Sequence, residues 1–386
     1  SVSPWFTRTS AFCSKAFGVD LATVHTRFCL GTAIDETRQE EALGKEYAGL
    51  TSIMSGETVA VRLPRWEFER FGGETEDLNA RMKSTGEAMG LGSSLIEALL
   101  KAERCRTPHH PLLGMRPEWT SIPLDDLMQR LVPPSPDRLA ILYEALKKGA
   151  RPRDLSAATG IDVQWLRELA RLSEIEAQLS RPDASSPAPE LICRAVEAGL
   201  NEAGLARLLN ISDEAAAGAI EAAGIRIIPR AADPQGQSRI WFTGSADQKV
   251  PHIPLGKSVL IAGPGAGRIG HGIELDHCCA HAARRLRKAG RRAILVNSNP
   301  AAAGGLEDAE RTYVAPLTAA DLKAVCSHER PDGIILQFGG YAAMDLAEDL
   351  ESAGFTILGT APQQVALSQD RLRFSGLLTE MGIPHP

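Results

Sequence analysis

The hydrophobic pattern of this chain changes character along its length. Between residues 118 and 228 apolar side chains recur mostly at i, i+3, i+4 and i+7, the spacing of one helix face. Pro136–Lys148 and Val163–Leu179 carry that spacing most clearly. From residue 257 onward short apolar runs alternate with helical stretches. Ser258–Ala262, SVLIA, lacks polar alternation and predicts a strand buried on both faces. Gly263–Gly267, GPGAG, must turn. Ile273–Ala289 predicts a helix stopped by Gly290, and Arg292–Asn297 a second strand. The same alternation predicts helices over Pro316–Val325, over Ala342–Ser352 and from Pro362, with strands over Gly333–Gln337 and Phe355–Leu358. Such alternation implies a doubly wound parallel sheet with helices on both faces. Turn formers make Ser180–Pro189 a loop and residues 229–250 a linker.

The helical stretch contains a near-repeat. Residues 149–172 and 199–225 each show a small-residue helix, a Gly or Asn, an Ile, an acidic turn and a second helix. Asp162 and Ser212 stand where helix N-caps are expected. The layout invites comparison with a helix-turn-helix DNA reader. Asp213, Glu214 and Glu221 give the second copy an acidic last helix, which phosphate repels. Packed helical hairpins are the better account.

Composition sharpens this only slightly. The chain has 386 residues, enough for two or three domains, with 44% hydrophobic and 23% charged residues. A net charge of −6 supplies no electrostatic footprint for nucleic acid or an anionic membrane. No apolar run is long enough to span a bilayer. Seven scattered cysteines suit free thiols and a cytoplasmic setting.

Two sets of residues suggest cofactors and fail. Gly265-x-Gly267-x-x-Gly270 fits a dinucleotide fingerprint, but Asn297-Ser298-Asn299 stands where a ribose-binding carboxylate belongs. His277 and His281 share one helical face, yet no further pair completes a zinc site. Adjacent Cys278 and Cys279 point about 100° apart on a helix and cannot both reach one ion. No serine nucleophile elbow or Walker A loop is present.

Several ordered motifs converge instead. They are Arg268-Ile269-Gly270-x-Gly272-Ile273-Glu274-x-Asp276-x-Cys278-Cys279, Asn297-x-Asn299-Pro300, Gln337-Phe338-Gly339-Gly340, Gly359-Thr360-x-Pro362 and Asp370-Arg371-x-Arg373-Phe374. Together they resemble the start of the second synthetase half of carbamoyl phosphate synthetase large chains. Arg8, Ser10, Ala11, Ser14, Lys15, Ala16 and Gly18, then Leu63-Pro64-Arg65-Trp66-x-Phe68 and Met82-Lys83-Ser84-Thr85-Gly86-Glu87, resemble the end of that family's first ATP-grasp domain.

The resemblance implies a multidomain α/β plus all-α chain. Residues 1–104 would be the C-terminal part of the first ATP-grasp domain. Residues 105–250 would be the helical oligomerisation domain with its linker, and 251–386 the pre-ATP-grasp α/β domain. It implies an ATP-dependent carbon–nitrogen ligase that makes carbamoyl phosphate from bicarbonate and glutamine-derived ammonia, for arginine and pyrimidine biosynthesis. ATP and Mg²⁺ or Mn²⁺ would serve the full-length protein, with none expected on this stretch alone. The implied partners are a glutaminase small subunit and further copies through the helical domain. The chain starts SVSP, without Met, and is expected to be an internal piece of a longer protein.

Residue by residue, the resemblance gives Arg8 a catalytic role at the first site. It places Ser1, Ser3 and Trp5 where the family has a metal-binding Glu, a metal-binding Asn and an Arg. A serine hydroxyl replaces a carboxylate poorly on Mg²⁺. Arg268, Gly270, Gly272, Glu274, Asn297, Asn299 and Gln337 would line the carbamate passage or a domain interface. Ala301–Gly305 replaces the family's polar loop. These departures keep a second reading open, a catalytically inactive scaffold or regulatory paralogue.

Overall fold

The computed structural model describes residues 5–32, 58–70, 78–79, 81–107, 113, 117–181, 187–232, 239–246, 257–269, 273–302 and 308–385. Strands β1 (Val59–Arg65) and β2 (Gly86–Gly92) form an antiparallel pair. The helix Leu95–Arg106 lies across it, with its first turn capped by Ser94. Gly90 permits that approach, because a Cβ there would collide with the backbone of Ala98 and Ala102. Ile96, Leu99 and Leu100 on this helix share one apolar core with Leu127, Leu142, Leu166 and Leu172 of the helical layer. The expected boundary at 104 therefore runs beside a core that both sides build.

The helical layer follows its periodicity. Helices occupy Arg138–Lys147 and Val163–Leu179, as the spacing predicts. The near-repeat is real in three dimensions. Pro152–Thr159 ends at Gly160 with φ 72°, and Glu202–Leu209 ends at Asn210 with φ 55°. Asp162 and Ser212 then cap the helices Val163–Leu179 and Asp213–Ala222. Glycine and asparagine are the residues that reach the left-handed region most cheaply, so each ends its helix in the same way. The expected loop from Ser180 to Pro189 falls partly outside the described residues, at 182–186.

The α/β layer is a seven-stranded sheet in the order β3-β4-β7-β6-β5-β8-β9. Its strands are β3 (Arg226–Ala231), β4 (Ile240–Ala246), β5 (Ser258–Ala262), β6 (Arg292–Val296), β7 (Arg311–Tyr313), β8 (Gly333–Ile335) and β9 (Ile357–Leu358). All neighbours run parallel except the β3–β4 edge pair. Leu260, Ala262, Ile294 and Val296 face the core shared with the Ala319–Glu329 and Ala347–Ser352 helices. Ile261, Ala293 and Leu295 face the Ile273–Lys288 helix. Burial on both faces explains the continuous apolar runs. Strands β6 and β7 lie on one side of β5, and β8 and β9 on the other, so the order reverses at β5. Open α/β sheets place their binding crevice at such a switch.

Two expectations need correction. Residues 229–250 are not a plain linker: β3 and β4 lie largely within them and extend the sheet. The turn formers sit mainly in 233–238, outside the described residues, whereas Ile240, Phe242 and Thr243 are buried strand positions. The helix expected over Ala342–Ser352 divides into Tyr341–Met344 and Ala347–Ser352.

Candidate functional site

The loops at the carboxyl ends of β5 and β6 are met by residues from the first hundred positions. Met89 N–H donates to Ser298 O at 2.9 Å, and Gly267 N–H donates to Glu87 O at 3.2 Å. Gly86 has no room for a side chain, because the Gly267 carbonyl fills that space. Ile269 N–H donates to Glu67 Oε2 at 3.0 Å. The antiparallel pair thus clamps the glycine turn from above.

A buried polar knot secures the same place. Asp276, in the first turn of the Ile273–Lys288 helix, is 3% exposed. It accepts from Asn297 Nδ2 at 2.7 Å and from Asn299 Nδ2 at 2.9 Å. Lys15, 8% exposed, donates to the carbonyls of Asn299 at 3.0 Å and Pro300 at 2.9 Å. It sits on the Arg8–Phe17 helix, 284 residues before Asn299. Burial drives the Lys15 ammonium down to about 8 against the opposing pull of Asp276. Burial likewise holds the Asp276 carboxyl above its usual range, although Asn297, Lys15 and Asn299 favour its ionised form. Both shifts say that keeping these charges out of water is costly. The knot is therefore a fastening, and its two asparagines hold Asp276 rather than a ribose.

Beside the knot lies a cavity of about 330 Å³. Arg65, Arg106, Arg268, Cys105, Ser298 and Leu317 are among its walls, with the turn Pro264–Ala266 at the end of β5. The guanidinium groups crowd one another. Burial first, and then the charges of Arg268, Arg106 and Arg70, lower the pKa of Arg65, while Glu67 opposes them. Glu67 is held below its usual carboxylate range: burial opposes this, but Ile269 N–H, Thr85 and the nearby arginines outweigh it. Arg106 is fixed through Nη2, which donates to both carboxylate oxygens of Glu103 at 2.7 Å. The three arginines outnumber the one carboxylate on the cavity wall, Asp345, and such an excess of positive charge in a partly enclosed space favours a small anion. Burial pushes the Cys105 thiol up to about 12, so it is no nucleophile near neutral pH.

The sequence-predicted residues divide into groups. Arg268 lines the cavity, and Asn297 with Asn299 forms the adjoining knot. Glu274 is exposed at the start of its helix, where its charge raises the Asp276 pKa. Gln337 is exposed and donates to Thr360 Oγ1 at 2.6 Å, which joins two of the quoted motifs away from the cavity. Arg8 is exposed and does not line the cavity. Gly270, Gly272, Ser1 and Ser3 lie outside the described residues. Sequence reasoning missed Lys15, Asp276, Arg65 and Arg106 as site residues. The first three stood in quoted motifs, and Lys15 also interrupts the small and apolar surface of its helix. Among the described residues no three His, Cys, Asp or Glu side chains could share a metal ion. The rings of His277 and His281 lie 4.2 Å apart between centroids, tilted by 49°, while Cys278 is exposed and Cys279 buried.

Comparison with known proteins places these features. Residues 87–223 match the model of the carbamoyl-phosphate synthetase large chain oligomerisation domain. Residues 256–367 match that of the carbamoyl phosphate synthase preATP-grasp domain. The carbamoyl phosphate synthase large chain of Rubrobacter xylanophilus is 33% identical over 391 residues, covering all of this chain and 35% of the relative. Those of Archaeoglobus fulgidus and Renibacterium salmoninarum are 30% and 34% identical, covering all of this chain and 36% and 35% of each relative. The chain spans about a third of the length of the curated relatives it matches. No helix among the described residues is long and apolar enough to cross a membrane.

Proposed function

Because the chain belongs to the carbamoyl phosphate synthase large-chain family, we propose that it serves as the joint between the two ATP-dependent halves of such a ligase. In this reading residues 1–104 close the first ATP-grasp module, 105–250 mediate association between copies, and 251–386 open the second half. The reaction of the whole protein would join bicarbonate, glutamine-derived ammonia and phosphate from ATP into carbamoyl phosphate. A glutaminase subunit would supply the ammonia, in the cytoplasm. ATP and Mg²⁺ or Mn²⁺ would bind to the ATP-grasp modules. The described residues offer no trio of His, Cys, Asp or Glu side chains that could share a metal ion.

One observation carries the role of this stretch: the cavity ringed by Arg65, Arg106 and Arg268 at the switch point of the sheet. Carbamate is a small anion that decomposes in water. A passage for it needs fixed positive charge and walls that limit water, and Leu317, Ala342 and Leu346 supply apolar wall. Arg268 would steer the anion, with Asn297, Asn299 and Asp276 keeping the loop in place. Arg8 would face the first site, and Gly270, Gly272, Glu274 and Gln337 would complete the passage or its interfaces.

The test is coupling in the complete enzyme. Replacing Ala342 by Trp narrows the cavity from its wall. ATP hydrolysis should continue while carbamoyl phosphate formed per ATP falls. An unchanged ratio would reject the passage. The alternative of an inactive scaffold rests on Ser1, Ser3, Trp5 and Ala301–Gly305. It predicts association without any ATP-dependent product in the parent protein.

A further inference from the structure

Arginines that share one cavity repel one another, so the segments that carry them must be held in place. Arg65 ends β1, whereas Arg268 follows the glycine turn after β5. We propose that Glu67, which is not itself a wall of the cavity, spaces these two segments and so positions Arg65 and Arg268 for the anion, an assignment that rests on the passage reading.

Glu67 lies between β1 and the short turn Phe68–Arg70 and is 6% exposed. Its two carboxylate oxygens serve different partners. Oε2 accepts the N–H of Ile269, the residue next to Arg268, at 3.0 Å and across 202 positions of chain. Oε1 lies 3.5 Å from Arg70 Nε and 4.0 Å from Arg65 Nε. One carboxylate therefore meets both arginine-bearing segments. The backbone that presents it is fixed: Thr85 N–H donates to Arg65 O at 2.9 Å, and Arg70 N–H to Glu67 O at 3.0 Å. The flanking rings of Trp66 and Phe68 stack at 5.8 Å between centroids.

The other hydrogen bonds of the clamp, Met89 to Ser298 and Gly267 to Glu87, run between backbone groups. Residues of many types could make them. The Glu67 contact depends on its side chain, and an ionised acceptor makes a stronger bond than a neutral one. Charge adds a second effect. Arg268, Arg106 and Arg70 all disfavour the charged form of Arg65, and Glu67 is the carboxylate that opposes them. A displacement of about 1 Å in a group that guides a reactant is enough to lower yield strongly.

The complete enzyme tests this through two readouts on Glu67→Ala and Glu67→Gln. The first is hydrogen exchange over the Ile269 amide, and the second is carbamoyl phosphate formed per ATP hydrolysed. Glu67→Ala should speed that exchange by about tenfold and lower product per ATP by about fivefold or more, since the amide loses its acceptor. ATP hydrolysis itself should continue. Glutamine keeps an acceptor oxygen and loses the charge, so Glu67→Gln should restore slow exchange and recover part of the yield. Parent-like exchange over Val163–Leu179 should show both variants folded. Parent-like exchange at Ile269 in Glu67→Ala would overturn the proposal. So would a parent-like yield in Glu67→Ala when Ala342→Trp lowers it, or an equal fall of ATP hydrolysis and product in both Glu67 variants. If Ala342→Trp leaves the yield unchanged, the passage itself fails, and faster exchange in Glu67→Ala still supports the hold of Glu67 on the turn.

Discussion

The helical layer and the loop knot at β5 and β6 are stabilised in opposite ways. In the helical layer, Leu127, Leu142, Leu155, Leu166 and Leu172 are fully or almost fully buried beside neighbours of similar chemistry. Each contributes through apolar area and close packing. The knot instead buries Lys15 and Asp276 and satisfies them with two asparagine amides and backbone carbonyls. Apolar burial is forgiving and local in its signal. Buried charge is demanding, because each partner must be present for the others to be tolerated. The difference teaches that this chain uses packing to build a layer and polar contacts to specify where layers meet.

The sharpest way to break the contrast is to remove one charge. Asp276→Leu should cost about 4 kcal/mol, since it strands Lys15 and two amides. The double variant with Lys15→Met should recover part of that loss, because the uncompensated charge is gone. By contrast Leu166→Ala should cost about 3 kcal/mol, and no partner substitution of similar size should restore it. Denaturant unfolding of five proteins (the parent, Asp276→Leu, Lys15→Met, the double variant and Leu166→Ala) measures both. Full additivity at positions 15 and 276 would show that they do not form one unit.

A second, smaller effect concerns pH. The Lys15 pKa lies near 8 in the folded chain, below its ordinary 10.5. Between those values the unfolded chain keeps a proton that the folded chain has released. This group therefore makes stability rise with pH across that window, and its full burial cost is present below it. The gain should be about 3 kcal/mol and should vanish in Lys15→Met. Denaturant midpoints across the window for both proteins read it directly.

The smallest prediction sharpens the comparison inside the helical repeat. Gly160→Ala should cost about 1 kcal/mol, because alanine strains at φ 72°. Asn210→Gly at φ 55° should change stability by under about 0.5 kcal/mol. No cost for Gly160→Ala, or a cost above about 1 kcal/mol for Asn210→Gly, would mean that a left-handed residue is not the device that ends these helices.

Much of the fold was legible. Val163–Leu179 and Ser258–Ala262 match their predicted spans, because period and flanking punctuation agree there. The hairpin β3–β4 was hidden because turn formers crowd its connection, while its pairing depends on partners far along the chain. At the candidate site, Arg268, Asn297 and Asn299 were legible through motifs. Their division of labour was not, since nothing in sequence shows that Asn297 and Asn299 reach for Asp276. Gln337 illustrates the limit: its motif was visible, but its partner is Thr360, 23 positions on, and not the cavity.

The sequence alone determined the alternation of strands and helices, the repeat with its caps, and the family, because each is written in short spacings or in ordered motifs. Only the tertiary structure decided that Lys15 would fasten a loop 284 residues away and that three arginines would share one cavity. The physical reason is that burial and the electrostatic environment are properties of the assembled interior. A side chain acquires them only when distant segments exclude water around it together.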